Sequence, residues 1–169
     1  MSRLATFASL LLFSAAVTAD AAERRGFLIG FAIGGGALDC SGCPSSSGLA
    51  FSYHLGGPLT ERVTLAADVF GVNNSGGFEQ YSSYQLLALA QYWVSPRFWV
   101  GGGVGYGQDW TDIGNPSRFG PAKVAFAVLT GVELVQRGKF ALDLRGRYGR
   151  TSSSPASDHL VALVGFTWY

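Results

Sequence analysis

Cys40 and Cys43 form a Cys-x-x-Cys pattern, one of the few places where the chain carries side chains suited to redox or metal chemistry. A thioredoxin-like pair needs a helix N-terminus that lowers the pKa of a thiol, and no helix is predicted nearby. A zinc site needs two more ligands, which the two histidines do not supply from their predicted strands. In an exported chain, two cysteines in a long loop favour a local disulfide, with free thiols as the alternative.

His54 and His159 are the remaining candidates for acid–base chemistry near neutral pH. Ser52 shares a strand face with His54, which places a hydroxyl near a base. Ser157 and Asp158 directly precede His159, a second grouping of the Ser-His type. The strand alternation described below turns both histidines inward, and no nucleophile, base and orienting acid converge on one site. We therefore predict no catalytic residues, no metal ligands and no cofactor.

The N-terminus has the features of a secretory signal peptide. A short basic start, Met1-Ser2-Arg3, precedes the apolar run LATFASLLLFSAAV and small residues suited to cleavage. This run is shorter than the ~20 residues that span a bilayer as a helix, which disfavours a membrane anchor. We predict a cleaved signal peptide over residues 1–21 and one exported domain over residues 22–169. If cleavage follows Ala19, loss of Arg3 leaves 12 − 1 = 11 basic residues against 11 acidic ones, a balance that argues against nucleic acid as a partner.

The exported part shows the period-two alternation of β-strands and no helical periodicity. Only 14% of the residues are charged and 48% are hydrophobic, which is unusual for a water-soluble domain. Short connections (GGPLT, VSPR and QRGK) alternate with long polar ones, as in bacterial outer-membrane barrels. The predicted fold class is all-β, an eight-stranded antiparallel up-and-down transmembrane β-barrel. Its strands are predicted over residues 26–38, 48–56, 61–72, 81–95, 97–109, 121–136, 138–150 and 158–169.

Alternation separates an apolar face from a polar face on these strands. In KFALDLRGRYGR, for example, Phe140 falls on one face and Asp143 on the other. The first, second and fourth predicted strands carry no charge, so we place the apolar face in lipid rather than in the interior of a soluble barrel, the alternative. The predicted lumen network comprises Arg62, Asp68, Lys123, Glu133, Asp143, Arg145 and Arg147. Because side chains just fill an eight-stranded barrel, these charges are expected to pair and plug it.

Aromatic residues recur eight positions apart on the apolar face of three predicted strands. At about 3.3 Å per residue, this interval is roughly 26 Å along a strand, or about 20 Å vertically after the usual tilt. That height is close to the apolar band between the two aromatic girdles of an outer-membrane barrel. The predicted girdle consists of Tyr84, Tyr92, Phe98, Tyr106, Phe140 and Tyr148.

These features resemble the OmpA/OmpX-like small outer-membrane β-barrels of the porin-like superfamily: a signal peptide, eight meandering strands, aromatic girdles and a last segment, VALVGFTWY, that ends on an aromatic residue. The resemblance lies in architecture and not in a residue motif. It implies a place in the bacterial outer membrane, in contact with the lipid bilayer and with lipopolysaccharide as a candidate lipid. It also implies that the barrel-assembly machinery reads Tyr169 as an assembly signal, although alternation turns Tyr169 inward, opposite to Trp168.

The function predicted from these features is a structural or surface-interaction, adhesion-like role through four long loops, with an unknown extracellular partner. The longest loop, QDWTDIGNPSRFGP, carries Trp110, Arg118 and Phe119 and is the first place to look for binding. A narrow pore or transporter for small or hydrophobic solutes is the main alternative. Some small barrels resemble lipid A deacylases or acyltransferases, so a lipid A-modifying enzyme is a third, which the inward histidines disfavour.

Overall fold

The computed structural model describes residues 24, 26–40, 46–74, 80–112, 118–153 and 156–169. The predicted signal peptide and the domain boundary at residue 22 lie outside these ranges, as do Cys43 and the side chain of Cys40. Within the described ranges, no helix is long and apolar enough to span a membrane. The strands there are β1 (Leu28–Cys40), β2 (Ser46–Pro58), β3 (Val63–Asn74), β4 (Gln80–Trp93), β5 (Phe98–Asp112), β6 (Arg118–Phe119), β7 (Lys123–Arg137), β8 (Phe140–Thr151) and β9 (Ser157–Trp168).

Eight long strands form a closed antiparallel barrel in the order β1-β2-β3-β4-β5-β7-β8-β9. β1 pairs with β9 over the whole length of β9, and this contact closes the sheet. Closure removes the free edges that would otherwise pair with other chains. The remaining strand, β6, has two residues and pairs with the end of β5, so that part of the longest loop is held as a hairpin. The predicted eight-stranded barrel is confirmed, with strand bounds that differ from the prediction by three residues at most.

One end of the barrel is closed by short turns. Backbone hydrogen bonds tighten two of them, from Leu59 N to Val63 O at 2.8 Å and from Val94 N to Phe98 O at 3.0 Å. The third joins β7 to β8, where Gly138 has a φ of +56°, a left-handed conformation that glycine adopts without the penalty of a Cβ. The long connections all lie at the other end, because the strands are antiparallel neighbours.

Large side chains in the interior lie over glycines of neighbouring strands. A Cβ added at Gly165 on β9 would meet the Asp143 carboxylate and the Arg145 guanidinium of β8. Another added at Gly149 on β8 would meet the His159 ring of β9. Glycine thus creates the space in which a narrow barrel holds long and cyclic side chains.

The outer face of the barrel is apolar and exposed. Its exposed large residues include Ile29, Ile33, Leu55, Leu65, Val69, Leu86, Val100, Val104, Val124, Val128, Leu144, Leu160 and Val164. An apolar surface of this extent on all sides of a closed barrel suits the hydrocarbon of a bilayer and not water. The six predicted girdle residues also lie on the outer face, with Phe98 and Phe140 half-buried at the first positions of β5 and β8.

Candidate functional site

The centre of the lumen is crossed by an ion pair between opposite strands. Arg147 on β8 donates from Nη1 to Oδ2 of Asp68 on β3 at 2.5 Å. β8 and β3 lie four strands apart in either direction around the barrel, so the pair spans its full width. Arg147 Nη2 also donates to Oε1 of Gln85 at 2.8 Å, and Ser52 Oγ donates to Oδ1 of Asp68 at 2.7 Å. Both charged side chains are at most 1% exposed, so this pair blocks the lumen at mid-height.

Aromatic rings enclose the same arginine. The guanidinium carbon of Arg147 lies 4.0 Å from the centroid of the Phe70 ring. The His159 ring stacks on Phe70 at a centroid distance of 4.5 Å, and its Nε2 lies 3.4 Å from Arg147 Nε. Here His159 is a packing and hydrogen-bonding partner of an arginine and contacts no described serine hydroxyl.

A second bridge lies two residues earlier on β8, roughly 7 Å nearer the short-turn end. Arg145 Nε and Nη2 donate to the two carboxylate oxygens of Asp143 at 2.5 and 2.8 Å, a bidentate pair. Arg145 Nη2 also donates to Thr167 Oγ1 at 2.9 Å, and Nη1 lies 3.1 Å from Nδ1 of His54 on β2. The second histidine is therefore also buried against an arginine, within a closed polar network.

The short-turn end of the lumen is closed by four residues, which we call the floor: Arg24, Trp93, Glu133 and Tyr169. Arg24, which precedes β1, pairs through Nη2 with Oε2 of Glu133 on β7 at 3.0 Å, and its guanidinium carbon lies 3.3 Å from the Trp93 ring centroid. The Tyr169 hydroxyl, just after β9, donates to Oε1 of Glu133 at 2.6 Å. Burial, together with the nearby charge of Glu133, raises the pKa of Tyr169, so its hydroxyl stays a donor.

The long-loop end narrows around one carboxylate. Ser153 Oγ donates to Oδ2 of Asp109 at 2.7 Å, and Ser157 Oγ lies 3.1 Å from both carboxylate oxygens. Just below, Gln85 Nε2 donates to Thr151 Oγ1 at 3.1 Å and links this end to the Arg147 network. Two serine hydroxyls, one from the β8–β9 connection and one at the start of β9, thus contact a carboxylate of β5 at the mouth of the lumen.

Apolar side chains occupy the remaining interior of the described barrel in three clusters. One, with β1, β2, β3 and β9, contains Ala32, Leu38, Ala50, Phe70, Val72, Val161 and Leu163. The second, with β4, β5 and β7, contains Leu87, Leu89, Trp93, Trp99, Ala125, Ala127 and Leu129. The third, next to the floor, contains Leu28, Ala141 and Tyr169. Polar bridges and apolar clusters together fill the lumen from floor to mouth.

Five of the seven predicted lumen residues are buried inside the barrel, namely Asp68, Glu133, Asp143, Arg145 and Arg147. The prediction was wrong for Arg62 and Lys123, which are exposed. Arg62 lies in the turn before β3, which begins at Val63, and Lys123 is the first residue of β7. Alternation assigns a side chain to a face but does not say whether the position is deep inside the barrel or at its rim.

Sequence reasoning missed the role of Arg24 and the contact between Tyr169 and Glu133. Arg24 lies outside any periodic segment, so no strand pattern points to it. A weak signal was available, because alternation turned Tyr169 inward at the same end of the barrel as Glu133, whose charge needed a partner. The described residues contain no cluster of three or more histidine, cysteine or acidic side chains that could hold a metal ion.

No protein family and no curated protein matches the sequence. Solved structures do match. Neisserial surface protein A (NspA) aligns with 84% of this chain and 96% of its own at 19% identity, with a TM-score of 0.71. Ail, the attachment invasion locus protein of Yersinia pestis, solved with the heparin analogue sucrose octasulfate, covers 84% and 99% at 11% identity, with a TM-score of 0.59. The N-terminal β-barrel domain of Pseudomonas aeruginosa OprF covers 85% and 98% at 15% identity, with a TM-score of 0.52.

At these identities the likeness concerns the fold. It confirms the predicted resemblance to small outer-membrane barrels, which rested on architecture alone. The apolar exterior agrees with that fold, because it presents hydrophobic side chains where such barrels contact lipid. The chain has the fold of the small eight-stranded β-barrels of bacterial outer membranes.

Proposed function

We propose that this protein is a sealed outer-membrane scaffold that acts through its long surface loops, in a structural or adhesion-like role, without catalysis and without conducting solutes. The Arg147–Asp68 pair is the main support for this proposal, because it joins opposite walls at mid-lumen with both side chains buried. A pore would need a hydrated path past this pair, the Arg145–Asp143 bridge and the floor. Each of these levels is occupied by side chains that hydrogen-bond one another.

The interaction surface is proposed to be the long-loop end. Short turns face the periplasm in barrels of this fold, so the long connections face outward. The longest connection offers the most defined element, because Gln108 Nε2 donates to Gly120 O at 2.7 Å and Trp110 pairs with Phe119 in the β5–β6 hairpin. A loop held by a rigid scaffold is a common location for binding residues.

Charge narrows the class of partner. Among the described side chains, the long-loop end carries the acids Asp39, Asp109 and Asp158 and the bases Lys123 and Arg150. Their balance is 2 − 3 = −1, so this end offers a polyanion no net attraction. Although Ail was solved with a heparin analogue, we expect this chain to bind a neutral or cationic partner and not a sulfated glycan.

The absence of catalysis is proposed from the surroundings of the histidines. His54 and His159 are buried and contact Arg145 and Arg147, respectively. Ser52, the hydroxyl that shares a face with His54, donates to a carboxylate instead. A general base must lie within hydrogen-bond reach of its nucleophile, and neither histidine does so among the described residues.

We propose that the barrel-assembly machinery recognises the last strand. The outward-facing side chains of this strand end at Trp168, whereas Tyr169 is buried at 8% exposure.

We also propose a disulfide between Cys40 and Cys43. Alkylation of the unreduced, unfolded protein should leave its mass unchanged, whereas labelling of two thiols would contradict the disulfide.

The proposal is tested by shortening one loop. Replacing residues 111–118 with Asn-Gly joins Trp110 to Phe119 through a two-residue hairpin turn. We expect this variant to reach the outer membrane and to migrate faster unboiled than boiled, while its cells lose adhesion to host-cell monolayers. A matched replacement of residues 75–79 with Asn-Gly is the control for loop length. Unchanged adhesion after both replacements, or stepwise conductance of the folded wild type in planar bilayers, would contradict the proposal.

A further inference from the structure

The short-turn end carries four basic side chains, which we call the basic rim: Arg62, Arg97, Arg137 and Lys139. Each of the three short turns contributes at least one of them, after β2, β4 and β7. Among the described side chains at this end, Glu61 is the one exposed acid, and Glu133 is buried in its pair with Arg24. The exposed charge of this end is therefore 4 − 1 = +3, opposite in sign to the long-loop end.

No side chain of the basic rim is paired within the described part of the protein. None of its four side chains forms an ion pair or a side-chain hydrogen bond with another described residue. The side chains of Arg62, Arg137 and Lys139 are exposed, so their charged groups are open to an acceptor outside the protein.

Apolar side chains beside the basic rim locate it relative to the bilayer. Leu59 and Val94 lie in the turns of Arg62 and Arg97 and are 66% and 53% exposed, and Trp168 at the end of β9 is 44% exposed. Exposed apolar and indole groups at the end of a barrel mark the boundary between hydrocarbon and headgroups. Long basic side chains that start at this boundary extend to the level of the phosphates.

We propose that the basic rim binds the phosphates of anionic phospholipids in the periplasmic leaflet of the outer membrane. This inference rests on the membrane orientation proposed above. The rim charges are spread over turns between β2 and β3, β4 and β5, and β7 and β8, on different sides of the barrel. A globular partner would reach one side of this ring, whereas the annulus of lipids surrounds all of it. The spread of charge therefore favours lipid over an acidic protein or peptidoglycan.

The chain contains its own reporter for this site. The Trp168 ring lies 5.4 Å from the Phe140 ring, and Phe140 pairs in register with Arg137. Trp93 and Trp99 are buried inside the lumen, at 3% and 2% exposure, where they are shielded from lipid. A Trp110→Phe background removes the tryptophan of the opposite end. Fluorescence of the folded protein then reports the lipids beside the rim.

The experiment measures quenching of Trp168 in phosphatidylcholine vesicles that contain equal mole fractions of either brominated phosphatidylglycerol or brominated phosphatidylcholine. Because one basic residue near an anionic surface is worth about a fivefold gain in affinity, we expect phosphatidylglycerol to quench with a several-fold higher apparent affinity. The pair Arg137→Gln and Lys139→Gln should abolish this preference. The matched pair Lys123→Gln and Arg150→Gln, at the other end of the barrel, should retain it. Salt should weaken the preference by screening.

Three results would overturn the inference. They are equal quenching by the two lipids in the wild type, a preference that survives substitution of Arg137 and Lys139, or a preference that is lost equally in the Lys123 and Arg150 control. Unboiled gel migration verifies that each variant is folded. If neither brominated lipid quenches Trp168, the membrane placement itself fails, which distinguishes failure of the proposed function from failure of the lipid site.

Discussion

Substitution of Arg147 by methionine should be among the most damaging single changes in this barrel. The side chain is buried, and its loss leaves the Asp68 carboxylate without the partner that lies at 2.5 Å. Breaking a buried ion pair by removing one member costs about 3–5 kcal/mol, because an uncompensated charge stays behind. Ser52 still donates to Asp68, but a neutral hydroxyl replaces little of a guanidinium.

A double substitution tests whether the charge itself causes this loss. Arg147→Met combined with Asp68→Asn removes both charges and leaves an amide that still accepts from Ser52. A buried ion pair replaced as a unit by neutral side chains of similar volume is often no less stable than the original. We therefore expect the double variant to recover at least half of the stability lost in Arg147→Met.

The matched control lies three residues further along β8. Arg150 pairs with Asp158 at 3.7 Å, with the two side chains 45% and 35% exposed. Exposed pairs contribute about 1 kcal/mol or less, so Arg150→Met should be nearly neutral. Guanidinium unfolding in phospholipid vesicles, followed by the fast-migrating band on unboiled gels, gives all three free energies of unfolding. An Arg147→Met variant as stable as Arg150→Met would refute the view that the lumen is held by a buried, desolvated pair.

Two further changes test the packing of the interior. Gly165→Ala should lower the free energy of unfolding by about 1–3 kcal/mol, because the added Cβ would meet the Arg145 guanidinium. Gly146→Ala is the control and should be close to neutral in the same unfolding assay, because its Cβ would lie at an ordinary 3.5 Å from the Thr130 methyl group. Tyr169→Phe should cost about 1.5–3 kcal/mol through loss of the hydrogen bond to Glu133. Deletion of Tyr169 should in addition slow the appearance of the fast-migrating band in cells if the machinery reads this end, and equal assembly rates for the two variants would contradict that reading.

The barrel could be predicted from the sequence because the alternation of side chains along a strand depends only on neighbouring residues. Successive side chains point to opposite faces, so Asp143 and Phe140 could be assigned to opposite faces without coordinates. The same rule turned both histidines inward, where the structure places them. It failed at Arg62 and Lys123 because depth along a strand depends on where each strand begins, which alternation does not determine.

The pairing inside the lumen could not be predicted from alternation. Which residue Arg147 meets on the far wall depends on strand tilt and register around the whole barrel. Asp68 lies 79 residues away in sequence, and no local pattern connects the two. The same applies to Arg24, whose contacts with Glu133 and Trp93 join segments that are adjacent only after the barrel has closed.

We propose that a membrane-spanning barrel of this chain is sealed by its own side chains. Single-channel recording in planar bilayers tests this with the wild type and with a variant in which Asp68, Arg145 and Arg147, together with the floor residues Arg24 and Glu133, are all changed to alanine. Both preparations are verified as folded by their migration on unboiled gels. We expect no conductance steps from the wild type and small steps from the variant. Charge-selective steps from the wild type that Arg145→Ala enlarges would show instead that the lumen is open.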